Sequence, residues 1–167
     1  MQHYNRDNTP MNDKIKKDKS KTIALNRRAK FDYFLEDRME AGMVLEGWEV
    51  KSLRAGKANL SESYVFIKNN EAWISGCTIA PLITASTHIK PESTRIRKLL
   101  LHEIEISRLR GATERKGYTI VATAMYWKFN KVKIEIALGK GKKEFDKRAT
   151  TKEREWDRDK SRILKGK

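Results

Sequence analysis

The chain has 167 residues, of which 37 are Lys or Arg and 22 are Asp or Glu, for a formal charge of +15 with 38% hydrophobic residues. That length holds one domain with appended segments rather than two full cores, and the charge points to an anionic partner, most simply a nucleic acid. The single cysteine, Cys77, excludes an intrachain disulfide framework and a Cys-rich zinc site. No apolar run approaches the ~18 residues of a membrane span, and residues 1–12 lack the apolar stretch of a secretory signal, so the expectation is a soluble, cytoplasmic protein.

In chain order, the first 30 residues carry nine Lys or Arg against three Asp. Few of them are apolar, and such a segment cannot offset its own ordering entropy, so a disordered basic extension is expected over residues 1–22. Residues 36–41 are good helix formers ending at Gly42, a plausible left-handed cap, and predict a short helix. Residues 43–51 predict a strand, with Gly47 as a bulge or bend. Residues 64–67 and 72–74 predict a hairpin, because Asn69 and Asn70 between them tolerate the positive φ of a tight turn. A further strand is expected over 97–101. A short helix follows over 103–110, ending at Gly111, with Ile104, Ile106 and Leu109 facing the sheet.

Residues 118–127 are rich in β-branched and aromatic side chains. In the next run Val132, Ile134, Ile136 and Leu138 alternate with Lys131, Lys133, Glu135 and Ala137, a period of two. The short Lys128-Phe129-Asn130 connection makes the two a hairpin. Short strands, glycine bends and few helices together predict a mainly β fold, a small antiparallel OB-like barrel over residues 23–138 with short flanking helices. Trp48, Trp73 and Trp127 read as core fillers and Cys77 as a small buried residue.

Residues 139–167 hold twelve basic and six acidic residues. Arg154, Arg158 and Arg162 repeat at i, i+4, i+8, and Trp156, Ile163 and Leu164 mark an apolar face. One Trp and two aliphatic residues cannot support such a helix alone in water, and the like-charge pairs Glu153–Asp157 and Glu155–Asp159 weaken it. The tail is therefore expected to be disordered when free and helical when bound to an acidic or RNA surface.

Enzyme signatures are absent: there is no phosphate-binding G-x-x-x-x-G-K-[ST] loop, no G-x-G-x-x-G and no G-x-S-x-G elbow. His3, His88 and His102 have no metal-ligand spacing. No catalytic residue, metal or cofactor is expected. Basic groups near loops (Lys51, Arg54 and Lys57; Arg95, Arg97 and Lys98; Lys128, Lys131 and Lys133) suit phosphate contacts, with exposed aromatics available to stack on unpaired bases. An RNA-binding factor, a basic ribosomal protein and an RNA-processing enzyme all remain open on this ground.

A specific match narrows them. Gly47-Trp48-Glu49-Val50-Lys51-Ser52-Leu53-Arg54-Ala55-Gly56-Lys57-Ala58-Asn59-Leu60 closely resembles the signature of the SsrA-binding (small protein B) family. Arg97-Lys98-Leu99-Leu100-Leu101-His102 is similar to a second family block. Gly139-Lys140-Gly141-Lys142-Lys143, Asp146-Lys147-Arg148 and Lys152-Glu153-Arg154-Glu155-Trp156 are similar to a third. The resemblance implies an OB-like barrel that binds the tRNA-like domain of transfer-messenger RNA. It also implies a tail over 139–167 that enters the decoding centre and empty mRNA channel of stalled ribosomes. A monomer in solution with no membrane partner is expected. Carried over, the RNA face would comprise Asn26, Glu40, Glu49, Lys51, Arg54, Lys57, Lys98, Leu100, Lys128 and Lys133. The tail's working positions would be Lys142, Lys143, Phe145, Asp146, Lys147, Arg148, Trp156, Ile163 and Leu164. Phe145 stands where the family often has His or Tyr, keeping a flat ring without a polar edge.

Overall fold

The computed structural model describes residues 21–84 and 88–165. The extension expected over 1–22 therefore lies outside the described residues as far as Ser20, and His3 with it. The described chain opens with strand β1 (Lys21–Leu25), helix α1 (Arg27–Asp32) and the long strand β2 (Tyr33–Met43). Helix α2 (Gly47–Arg54) and strands β3 (Ala58–Asn59), β4 (Tyr64–Lys68), β5 (Glu71–Ser75) and β6 (Thr78–Ile79) follow. Strand β7 (Arg97–Leu100), helix α3 (Glu103–Lys116), strands β8 (Thr119–Lys128) and β9 (Lys131–Gly141) and helix α4 (Glu144–Lys165) complete it.

All strand pairs are antiparallel, in the order β1-β8-β4-β5-β7-β2-β9, and β9 pairs back onto β8. That last pairing closes six strands, β8-β4-β5-β7-β2-β9, into a ring, with β1 added beside the far half of β8. Closure leaves no free edge within the ring. β3 and β6 pair separately. The interior is filled by the alternate residues that period-two strands send inward: Val132, Ile134, Ile136 and Leu138 of β9, Ile120, Ala122 and Met125 of β8, and Ala72, Ile74 and Leu99 of the opposite wall.

Both expected hairpins are present. Each turns through two residues with positive φ, Asn69 (51°) with Asn70 (60°) and Phe129 (49°) with Asn130 (58°). Such turns match the twist of the strands they join.

Three expected elements are corrected. Residues 36–41 are strand, not helix. They lie in β2, where Glu36 pairs Leu138 and Ala41 pairs Ile134, and a register shift with Asp37 at φ 47° absorbs one irregularity. Residues 47–54 are helix, not strand, and Gly47 opens it rather than bulging a strand. Glu46 caps α2 with a reciprocal capping box to Glu49, and Trp48, Glu49, Ser52 and Leu53 form its buried face at helical spacing. Helix α3 runs through Gly111, where a Cβ would meet nothing, and stops at Gly117, which is left-handed at φ 65°. Ile106 and Leu109 of α3 are buried as expected, but Ile104 is exposed to solvent.

No helix among the described residues is long and apolar enough to cross a membrane.

Candidate nucleic-acid interface

Because the interior takes one set of alternate residues, register decides which side chains share the outer wall. Ile134 and Ile136 point inward, so Lys131, Lys133 and Glu135 point outward. Lys133 lies opposite Tyr126 on β8 and opposite Gly42 on β2, and Lys131 lies opposite Lys128. Gly42 in turn pairs Leu100 of β7, and Lys98 pairs Trp73 of β5. Five neighbouring strands thus carry one outer surface: Trp73 and Glu71, Lys98 and Leu100, Glu40 and Gly42, Lys131 and Lys133, Tyr126 and Lys128.

A groove of ≈ 710 Å³ crosses this surface where α3 begins. Its walls include Glu40, Glu71, Lys98, Leu100, His102 and Lys133. Gly42 also lines it, and a Cβ there would stand 3.3 Å from the Leu100 Cβ.

Polar contacts order the surface. The Tyr126 hydroxyl donates to Glu40 Oε2 at 2.6 Å, and Lys128 Nζ donates to the same carboxylate at 3.0 Å. The Tyr126 bond holds the Glu40 carboxyl below its ordinary range; partial burial opposes it, and the charges of Lys128 and Lys133 assist. Glu40 is therefore an ionised acceptor fixed among cations. Burial first, and then the bond to Glu40, push the Tyr126 hydroxyl up, so it remains a donor at neutral pH. Lys98 pairs with Glu71. Lys133 has no such ion pair among the described residues and presents its charge to the groove.

Of the residues expected on an RNA face, Glu40, Lys98, Leu100, Lys128 and Lys133 come together here. Lys51 and Arg54 are exposed on α2, and Lys57 is exposed just after it; they form a separate basic row. Asn26 and Glu49 do not reach the surface. Asn26 is 4% exposed and caps α1, with Oδ1 accepting from the Ala29 N–H and Nδ2 donating to the carbonyls of Leu60 and Ala122. Glu49 is fully buried. Its carboxylate accepts from Arg97 Nε at 2.7 Å, from Arg95 Nη2 at 2.6 Å and from the Glu46 N–H at 2.7 Å. Burial alone would raise its pKa; the Arg95, Glu46 and Arg97 donors outweigh that and hold it below the ordinary carboxylate value.

Arg95 and Arg97, expected as phosphate contacts, are spent on this network. Arg97 is itself fully buried and also donates to the carbonyls of Cys77, Ser93 and Arg95. Cys77 lies beside them, and burial pushes its thiol up to about 11, so it is protonated at neutral pH.

Sequence reasoning names Tyr126 only among the aromatics of the hairpin that Lys128, Lys131 and Lys133 bracket, gives Glu71 no functional role and assigns Trp73 to the core. Trp73 is half-buried on the outward side, between the fully buried Ala72 and Ile74. Trp48 is buried, and Trp127 packs against the core from its edge. The available signal for Tyr126 is the period-two pattern itself, which sets it on the same face as Lys128.

The tail departs from the opposite end of β9. β9 continues to Gly141, three residues past the expected end of the barrel, and the Lys142 N–H donates to the Asp32 carbonyl. Lys142 Nζ donates to the Lys30 carbonyl and stands 5.0 Å over the Phe34 ring. Asp146 accepts from the Lys143 N–H and so closes the first turn of α4. One side of α4 then touches α1: Lys147 pairs with Asp32 at 3.5 Å, and the Arg154 guanidinium lies 5.6 Å over the Phe31 ring. At about 100° per residue, Phe145, Trp156 and Ile163 fall on the side facing away, and all three are exposed, as are Arg148 and Leu164. None of the described residues of α4 is buried.

Among the described residues no group of His, Cys, Asp or Glu is arranged to hold a metal ion.

The comparisons with known proteins agree on one family. The family model described as SmpB protein matches residues 23–166. An SsrA-binding protein of Alkalilimnicola ehrlichii is 58% identical over 154 residues, covering 92% of this chain and 96% of that protein. A chain from a solved structure described as "tmRNA-SmpB: a journey to the center of the bacterial ribosome" is similar at 39% identity and a TM-score of 0.61, over 72% of this chain and 85% of that one. A match that runs from the second half of β1 to beyond the end of α4, with the outer-wall lysines and the basic tail inside it, makes this chain a member of the SmpB, or SsrA-binding, protein family.

Proposed function

We propose that the chain is an RNA-binding factor of trans-translation. Its barrel binds the tRNA-like domain of transfer-messenger RNA, and its tail, residues 142–167, occupies the decoding centre and empty mRNA channel of the stalled ribosome's small subunit. The observation that carries this reading is the outer wall, where Lys98, Lys128 and Lys133 from three strands surround an ionised Glu40 and the exposed Leu100. Lysines neutralise phosphates. A carboxylate among them repels phosphate at one point and accepts from a ribose hydroxyl or a base amino group instead, which favours RNA docked in one register. Family membership and the likeness to a chain described with tmRNA on the ribosome support the choice of partners.

On this reading the protein acts by binding and positioning, as a cytoplasmic monomer without cofactor, and not as an enzyme. Asn26 and Glu49 serve the RNA face from inside, by holding α1 and α2. Lys51, Arg54 and Lys57 form a second phosphate-contacting row. In the tail, Lys142, Lys143, Asp146, Lys147 and Arg148 set its root, and Phe145, Trp156, Ile163 and Leu164 supply an apolar and stacking surface to the ribosome. Among the described residues the ion pairs and ring contacts between α4 and α1 are one half-buried ion pair and one cation–π contact, each worth about 1 kcal/mol or less. So small a latch leaves the tail, already helical over Glu144–Lys165, free to exchange α1 for the ribosome.

Binding to a transcript of the tRNA-like domain is expected to weaken steeply with salt. Lys133→Ala should lower the slope of log K against log[salt] by roughly one unit or less, the value of one lost phosphate contact. A parent slope near zero, measured by titration at several salt concentrations, would remove the electrostatic basis of the reading.

A further inference from the structure

The hairpin joining β8 to β9 carries a residue that neither fold nor turn chemistry calls for. Phe129 is 73% exposed and sits at φ 49°. That left-handed backbone favours Gly, Asn or Asp and is an outlier for a bulky aromatic. The same chain shows the unstrained solution, because the β4–β5 hairpin makes the same two-residue turn with Asn69 and Asn70 at 51° and 60°. Phe129 has no aromatic or cation–π partner among the described residues, and most of it lies in solvent, so packing does not explain a large apolar ring on a strained turn. Strain of this kind that persists on an exposed tip points to use.

Its surroundings say what the use is. Lys128 and Lys131 flank the turn as a cross-strand pair. Lys21 on β1 lies opposite Trp127, the residue before Lys128. Lys133 and the Tyr126–Glu40–Lys128 cluster continue the same outer wall toward the groove. An exposed flat ring in a turn flanked by Lys128 and Lys131, at the end of a wall that carries Lys133, suits one ligand chemistry: an unpaired nucleobase, whose π-face stacks on the ring while the adjoining phosphates meet the lysines.

We propose that Phe129 is a base-stacking contact, a fingertip at the end of the outer wall that takes an unpaired nucleobase of the bound RNA. This rests on the RNA-binding reading above and extends its surface beyond the groove to the hairpin tip. The contact is sequence-tolerant, since every base presents a π-face.

The test uses the full chain and a labelled transcript of the tRNA-like domain, with the affinity, its salt slope and the melting temperature measured for each protein. Phe129→Asn copies the sister turn, so its melting temperature should equal or exceed the parent's. Its affinity should fall roughly 5- to 100-fold, the worth of one base–aromatic stack, with an unchanged salt slope, because a neutral ring displaces no counterion. Phe129→Tyr should bind as the parent does. A Phe129→Asn protein that binds like the parent, or one that melts well below it, overturns the proposal and leaves the RNA-binding reading standing. A parent that shows no salt-dependent binding to the transcript overturns that reading and the proposal with it.

Discussion

Replacing Glu49 with alanine is expected to destabilise the barrel by about 3–5 kcal/mol, because it strands a buried guanidinium. Arg97 is fully buried, and among the described residues Glu49 is its only carboxylate partner. The three carbonyls that Arg97 also holds cannot balance its charge. Against a domain stability of about 5–15 kcal/mol, this is a large fraction. At about 2–4 °C per kcal/mol for a chain of this size, the melting temperature should fall by roughly 6–20 °C. The loss should extend beyond α2, since Arg97 ties the start of β7 to the carbonyls of Cys77 and Ser93 at the two ends of the 77–93 connection.

The same carboxylate sets a pH dependence. Its folded pKa is depressed from an ordinary 4.5, so its contribution is complete above pH ~5 and is lost as pH falls below 4.5 and through the folded value. Urea melts between pH 3 and 7 should show this acid-side decline in the parent and a flatter one in Glu49→Gln. A Glu49→Ala protein that melts with the parent would show that the Glu49–Arg97 pair contributes nothing to the fold.

The largest functional effect is expected from removing residues 144–167. The cut falls after β9 and after the Lys142–Asp32 hydrogen bond, so it spares the ring. It removes the Lys147–Asp32 pair and the Arg154–Phe31 contact, each worth about 1 kcal/mol or less. The melting temperature should therefore move by only a few degrees. Affinity for the tRNA-like domain should stay within about tenfold, or 1.4 kcal/mol, because the outer wall lies on other strands. Tagging of stalled peptides in a reconstituted translation reaction should be abolished. A truncated protein that still supports tagging would remove the tail from the mechanism.

The two hairpins are legible in the sequence because their signals are local: alternating Val132, Ile134, Ile136 and Leu138 in one, and Asn69 with Asn70 at the positive-φ positions of the other. β2 is not, since Glu36 to Ala41 prefer helix locally and become strand through pairing with β9, some hundred residues away; long-range pairing overrides propensity. α2 is hidden for a different reason. Two of its four buried positions are Glu49 and Ser52, so its buried face has no hydrophobic period to read. Glu49 is buried only because Arg97 and Arg95 meet it from the far side of the chain. α3 outruns its expected end because Gly111 costs a helix only about 1 kcal/mol, whereas Gly117 actually adopts the left-handed stop.

For the interface, composition gives the charge and the family blocks give the lysines. The register of five strands selects which of them share a wall. The same register brings in Tyr126 and Trp73 and leaves Asn26 and Glu49 inside.

The most direct measurement of the central claim is to recover the tagged full-length protein from cells under mild salt and to sequence the RNA that comes with it. The account predicts one dominant species, transfer-messenger RNA, whose yield falls when Lys98 and Lys133 are both changed to alanine in a protein of unchanged melting temperature. Recovery of ribosomal RNA in proportion to all ribosomes, or of the same RNA undiminished by the double change, would contradict it.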